Sequence, residues 1–101
     1  MHLVQILLPL RDNEGQPYSD AVFQALNHKL AQTFGGVTAF SRSPARGVWI
    51  NNALAQRDDV MVVEVMTEVL DPGWWAALRG ELERDLRQQE IVIRAHAIAR
   101  L

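Results

Sequence analysis

Apolar residues of this chain are concentrated in four segments, and two stretches with helical periodicity separate these segments. The apolar segments are Leu3–Leu10, Val37–Arg42, Val60–Val69 and Ile91–Arg100. Their short lengths and their branched aliphatic residues are typical of β-strands. The pattern therefore predicts the order strand, helix, strand, strand, helix, strand.

Both helical stretches carry recognisable start signals. Ser19 can accept hydrogen bonds from the free amides of a first turn, and Gly35 is suited to a left-handed cap at the other end. Asp71 followed by Pro72 is an equally clear beginning for the second helix. The apolar stripes predicted to be buried are Val22, Phe23, Leu26, Leu30 and Phe34 in the first helix and Trp75, Leu78, Leu82 and Leu86 in the second.

Two right-handed strand–helix–strand crossovers joined by a hairpin define a common architecture. They predict an α+β fold of the ferredoxin-like βαββαβ type, with a four-stranded antiparallel sheet of order 4-1-3-2 and two helices on one face. At 101 residues the chain is expected to form a single domain, 1–101. The connection Ser43–Asp59 is long for a hairpin, which indicates an extended arm with a role in function or assembly.

Side chains alternate across each strand, so every strand contributes to two faces. One face is uniformly apolar and is expected to lie under the helices; its members are Val4, Ile6, Leu8, Val37, Ala39, Met61, Val63, Val65, Ile93, Ala95 and Ala97. The other, here called the outer face, is mixed; its members are Gln5, Leu7, Thr38, Phe40, Arg42, Val62, Glu64, Met66, Arg94, His96 and Ile98. Such a mixed surface is typical of an interaction site. We expect two copies to meet through their outer faces as a homodimer that encloses a partly polar cavity.

The outer face also carries the candidate catalytic residues, which are His96, Glu64 and Arg94. A histidine can change its charge near neutral pH, and a carboxylate and an arginine beside it could orient an acidic or carbonyl-bearing substrate. The alternative interpretation is structural. In that case Arg42 pairs with Glu64 across adjacent strands, and Arg94 and His96 form hydrogen bonds across a dimer interface.

A second group of residues is a candidate for ligand binding. The run Arg42–Trp49 combines two arginines with a tryptophan, which could clamp an anionic, planar ligand. The candidate ligand-binding residues are Arg42, Arg46, Trp49, Thr38 and Gln5. The competing interpretation is an edge arm in which Pro44 and Gly47 form a bulge and Trp49 packs on a partner subunit.

Composition narrows the classes of function. The net charge of −2 argues against nucleic acid or an anionic membrane as a partner. The chain has no cysteine, which excludes disulfides and thiol chemistry, and the spacing of its three histidines predicts no metal site. We also expect no cofactor. The first apolar segment is short and lacks a basic flank, so we expect no signal peptide and a cytoplasmic location.

Several stretches carry a resemblance that spans most of the chain. They are Phe34–Phe40, Ser43–Trp49, Glu64–Met66, Trp74–Trp75 and Ile91–Ala95. These stretches resemble small uncharacterised bacterial proteins of ferredoxin-like fold. More loosely, the layout resembles the dimeric α/β-barrel superfamily, which includes cofactor-independent monooxygenases and muconolactone isomerase-like proteins.

Three functional hypotheses follow from the residues and the resemblance together. The first is a homodimeric small-ligand-binding or accessory protein. The second is a small cofactor-independent enzyme of the monooxygenase or isomerase kind. The third is a purely structural assembly module.

Overall fold

A computed structural model describes residues 1–36, 38–42 and 60–101, with the backbone alone for residues 38–42. The elements follow the predicted order. They are β1 (His2–Pro9), α1 (Asp20–Phe34), β2 (Thr38–Arg42), β3 (Val60–Thr67), α2 (Pro72–Asp85) and β4 (Val92–Ala97). The α+β class, with two helices and an antiparallel sheet, is confirmed. The predicted arm, Ser43–Asp59, lies outside the described residues.

Strand β1 lies between β3 and β4 and runs antiparallel to both. Gln5 is the partner of Glu64 on one side and of Arg94 on the other. On the far side of β3, the backbone of β2 is also antiparallel, with Thr38 opposite Glu64. This register determines which outer-face side chains become neighbours.

The predicted inner face forms the core, because its alternating aliphatic residues meet the apolar stripes of the two helices. On the strands, Val4, Ile6, Leu8, Val63 and Val65 are all buried. They belong to one cluster with helix residues that match the predicted stripes, namely Phe23, Leu26, Leu30, Trp75, Leu78, Leu82 and Leu86. Burial of this kind is the main source of stability in a small domain.

One part of the inner-face prediction is wrong. Ile93 is half-buried as expected, but Ala95 and Ala97 are exposed. They lie toward the end of β4, which forms an edge of the sheet. Helix α2 packs against β4 but leaves Ala95 and Ala97, near the end of this strand, open to solvent.

Both helices begin as their sequences predict, and α1 also ends at the predicted cap. The Ser19 hydroxyl accepts from the Ala21 amide at 3.2 Å, and Gly35 closes α1 with a φ of 79°. The Asp71 carboxylate accepts from the amides at the start of α2. The polar face of α2 does not form pairs along the helix within the described residues. Instead, the Glu83 carboxylate accepts from the Ile91 amide at 3.0 Å and fixes the entry to β4.

A set of hydrogen bonds joins two loops at the end of the sheet where β1 ends and β4 begins. The Tyr18 hydroxyl donates to the Leu86 carbonyl at 2.6 Å and accepts from the Gln88 amide group at 2.9 Å. The Asn13 side chain donates to the Arg87 carbonyl at 3.4 Å. We call Tyr18, Gln88 and Asn13, with the carbonyls they contact, the loop network. It ties the loop after β1 to the end of α2.

Candidate functional site

The backbone register sorts the outer face into rows that cross the sheet. The central row consists of Glu64 on β3, Gln5 on β1 and Arg94 on β4, which are direct partners. We call these three residues the polar row. The backbone of Thr38 lies opposite Glu64 and continues the same line onto β2.

Rows on both sides of the polar row are largely apolar. One contains Val62, Leu7 and Val92, and the other contains Met66, Leu3 and His96. Met66 is 51% exposed and Val92 is 44% exposed, although both are large apolar side chains. Val62 is only 5% exposed, yet it does not belong to the core cluster under the helices. The polar row therefore lies between two largely apolar rows, which are exposed at Met66 and Val92 and already buried at Val62.

Hydrogen bonds link the three side chains of the polar row. Gln5 Nε2 donates to Glu64 Oε2 at 2.7 Å, and Arg94 Nε donates to Gln5 Oε1 at 2.9 Å. A carboxylate can only accept and a guanidinium can only donate, so the chemistry of its neighbours dictates the orientation of the Gln5 amide. The glutamine thus bridges an acid to a base that are two strands apart.

The residues at the two ends of the row have polar atoms that do not bond to the Gln5 amide. Glu64 Oε1 and the two terminal nitrogens of Arg94 make no hydrogen bond to the described residues. Arg94 is exposed, whereas Glu64 is half-buried. A terminal guanidinium edge of this kind can bind a carboxylate through two parallel hydrogen bonds.

The predicted catalytic group comes together only in part. Arg94 and Glu64 belong to one row, but His96 lies in the next row, where its neighbour on β1 is Leu3. Glu64 is separated from β4 by β1, a distance of about 10 Å across the sheet. The histidine and the carboxylate therefore do not form a direct pair.

The predicted pair between Arg42 and Glu64 is wrong at the level of backbone register. Arg42 is opposite Val60, and the residue opposite Glu64 is Thr38, four positions away. That offset corresponds to about 13 Å along a strand. The carboxylate of Glu64 instead accepts from Gln5. Of the other predicted ligand-binding residues, Arg46 and Trp49 lie outside the described residues.

An open groove of about 840 Å³ extends from the outer face to the end of α1. Leu3, Glu64 and Met66 line it on the outer face, and Phe34, Gly35 and Arg100 are among the residues that line its other parts. Pockets that hold small molecules typically have volumes of roughly 300–1,000 Å³. Glu64 belongs both to the groove and to the polar row, so the row borders a space of suitable size for a ligand.

Sequence reasoning did not identify this groove. Its walls come from the ends of α1 and β3 and from residues near both chain ends. Periodicity identifies the middle of an element far better than the place where several ends meet. The adjacent glycines Gly35 and Gly36 were a signal that side chains are missing there, but the sequence alone assigns them to a helix cap.

Two negative findings apply to the described residues. Within 1–36, 38–42 and 60–101, no group of three or more histidine, aspartate or glutamate side chains is arranged to hold a metal ion. In the same ranges, neither helix has the length and apolar character needed to cross a membrane.

Comparison of the chain with protein-family models, with curated proteins and with solved structures gives no match. The fold is therefore described as a small α+β fold that is loosely ferredoxin-like. The function has to be argued from the residues of the chain itself.

Proposed function

We propose that the protein is a homodimer that binds a small ligand in a partly polar cavity between its outer faces. The proposal includes a complete ferredoxin-like βαββαβ fold with a four-stranded sheet of order 4-1-3-2. The antiparallel backbone register of β2 along β3 supports this order. The proposed location is cytoplasmic, and a chain without cysteine fits a reducing compartment.

The observation that carries the proposal is a hydrogen-bonded polar row between two apolar rows, at the border of a groove. A face that stays in water gains little from exposing Met66 and Val92, because apolar surface is stabilised by leaving water. A face that is covered entirely by apolar contacts would not contain a charged row. A second outer face placed over the first satisfies both conditions, since it buries the apolar rows and leaves the polar row lining a cavity.

The groups of the polar row that bond to no described residue indicate the class of ligand. Arg94 can donate two hydrogen bonds to a carboxylate or to a carbonyl oxygen. Glu64 can accept from a hydroxyl or an amino group through Oε1. We therefore propose a small anionic or carbonyl-bearing molecule that also has a hydrogen-bond donor.

An enzymatic function is the alternative that a specific observation favours. His96 is exposed on the outer face, two residues from Arg94 on the same strand. A ligand held by Arg94 would lie next to an imidazole that can take or give a proton. In this alternative the reaction is of the cofactor-independent monooxygenase or isomerase kind, and His96 acts on the bound ligand without help from Glu64.

A panel of small carboxylates tests the ligand proposal. Binding is measured by titration calorimetry, first for the wild-type protein and then for Arg94→Gln. The matched control is Arg79→Gln, which removes an exposed arginine from α2. We expect at least one carboxylate to bind, with affinity reduced about tenfold by Arg94→Gln and unchanged by Arg79→Gln.

Other outcomes separate the three hypotheses. If no member of the panel binds to a dimeric protein, the structural assembly module is favoured over the ligand-binding protein. If a carboxylate is converted to a product and His96→Ala stops turnover without weakening its binding, the enzymatic alternative is correct. Equal loss of affinity in Arg94→Gln and Arg79→Gln would contradict the assignment of Arg94.

A further inference from the structure

The polar row has an acid at one end, a base at the other and a neutral amide at its centre. From this charge order we infer that the two-fold axis of the homodimer runs along β1 at Gln5, so that Glu64 of each copy faces Arg94 of the other. This inference rests on the proposed dimer and adds to it. The partner copy then supplies half of each ligand site.

Symmetry limits the choices for two sheets that meet face to face. The two-fold axis must lie between the sheets and parallel to them, and the two directions that keep the strands of both copies aligned are along β1 and across it. An axis along β1 exchanges the β3 side with the β4 side, which brings the carboxylate of Glu64 over the guanidinium of Arg94. An axis across the strands places the β3 side of one copy over the β3 side of the other. It brings Glu64 over Glu64 and Arg94 over Arg94. Like charges placed opposite one another disfavour an interface, whereas opposite charges set its register.

The apolar rows fit the same axis. Rotation about β1 places every row over the same row of the second copy. Leu3 therefore meets Leu3, and Leu7 meets Leu7. In the flanking rows, Met66 meets His96, and Val92 lies over the position of Val62, which is already buried within one copy. Because an axis across the strands would also put apolar rows together, the charges of the polar row decide between the two arrangements.

This register makes the ligand site a shared one. Each dimer has two equivalent sites, and each contains Arg94 of one copy and Glu64 of the other, with the two Gln5 amides between them. A ligand that binds Arg94 through its carboxylate would reach Oε1 of Glu64 on the facing chain. Binding of the ligand would then stabilise the dimer itself.

Cross-linking tests the axis directly, because the chain has no native cysteine. Leu3→Cys and Leu7→Cys are prepared separately, and circular dichroism shows that each is folded. Each is treated with a short bis-maleimide at micromolar concentration, alone and in an equimolar mixture of the two. Gln24→Cys, on the exposed side of α1, serves as the control for random collision.

The axis along β1 predicts that Leu3→Cys and Leu7→Cys each cross-link well alone and that the control does not. Preferential cross-linking between Leu3→Cys and Leu7→Cys in the mixture would overturn this axis while leaving the dimer intact. A wild-type protein that sediments as a monomer at the same concentration would overturn the proposed dimer as well.

Charge reversal gives an independent readout of the same contact. Glu64→Lys and Arg94→Glu should each raise the dissociation constant of the dimer about tenfold or more, because each places like charges opposite one another. An equimolar mixture of the two should form a heterodimer of nearly wild-type affinity. In that heterodimer, the introduced lysine of one chain faces the introduced glutamate of the other. The remaining Arg94 faces the remaining Glu64, so both pairs have opposite charges. If either single variant dimerised as tightly as the wild-type protein, the proposed contact would be contradicted.

Discussion

Two glutamines each bridge a pair of polar groups in this molecule, and they do so in opposite settings. Gln88 belongs to the loop network, where its amide nitrogen donates to the Tyr18 hydroxyl at 2.9 Å and to Asn13 Oδ1 at 3.4 Å. Gln5 belongs to the polar row, where its amide joins a carboxylate to a guanidinium. The loop network connects neutral groups from parts of the chain that must be held together. The polar row connects opposite charges on strands that the sheet already holds.

This difference separates a structural network from a candidate binding site. Removing the loop network would leave a backbone carbonyl of the buried residue Leu86 without its donor, so the fold depends on it. The sheet does not need the polar row, because backbone pairing and the core beneath already fix β1, β3 and β4. The row is better explained by the groups that it presents to another molecule.

The largest effect is expected in the loop network. Tyr18→Phe removes the hydroxyl that donates to Leu86, and it should lower the free energy of unfolding by about 1–3 kcal/mol. Urea denaturation followed by circular dichroism measures the change. Dimer formation and ligand binding should be unaffected at temperatures where the variant is folded. An unchanged midpoint would show that the loop network is dispensable.

The same substitution in the two glutamines sharpens the comparison. Gln5→Leu should reduce ligand affinity about tenfold, because Arg94 and Glu64 lose the bridge that orients them, and should change the free energy of unfolding by less than about 1 kcal/mol. Gln88→Leu should do the reverse, with lower stability and unchanged affinity. Calorimetry gives the ligand affinity of each variant, and urea denaturation gives its free energy of unfolding. If both variants changed these two quantities in the same way, the distinction between the networks would be lost.

Backbone conformation in the loop network provides a smaller, stabilising effect. Among the described residues, Arg87 is the non-glycine residue whose φ lies in the left-handed region, at 53°. Because an L side chain disfavours this region, Arg87→Gly should raise the free energy of unfolding by about 0.5–1 kcal/mol. The Arg87 carbonyl still accepts from Asn13, so the network survives. A loss of stability would show that the arginine side chain contributes more than its backbone conformation costs.

The smallest effect concerns an ion pair on the surface of the helices. Lys29 Nζ lies 2.9 Å from Glu81 Oε2, and its hydrogen bond and positive charge lower the pKa of the Glu81 carboxyl. A carboxyl with a lowered pKa in the folded state stabilises the fold above its unfolded pKa, and this contribution disappears as the pH falls through the lowered value. In Lys29→Met, the pKa of Glu81 should return toward its ordinary value in an NMR titration. High salt should have a similar effect on the wild-type protein, because the pair is exposed to solvent.

Much of the fold could be predicted because it depends on local patterns. The alternation in β1 separates Gln5 from Val4 and Ile6, and the caps at Ser19, Gly35 and Asp71 are readable from a few residues. Alternation also put Gln5, Glu64 and Arg94 on one face, which the structure confirms through their shared register.

Register between distant strands could not be predicted in the same way. Alternation assigned His96 and Arg94 to one face but did not show that His96 lies a row away from Glu64. The Arg42–Glu64 pair failed for the same reason, since a pairing depends on how far each strand is shifted along its neighbour. The contact between Tyr18 and Leu86 joins loops 68 residues apart, and no local pattern announces it.

Sedimentation equilibrium of the wild-type protein tests the central claim most directly, which is that a second copy covers the outer face. We predict the mass of a dimer at micromolar concentration, and a shift toward the monomer when Arg94→Glu is measured at the same concentration. A wild-type protein that remains monomeric at about 100 μM, a concentration at which even weak complexes are populated, would contradict the account.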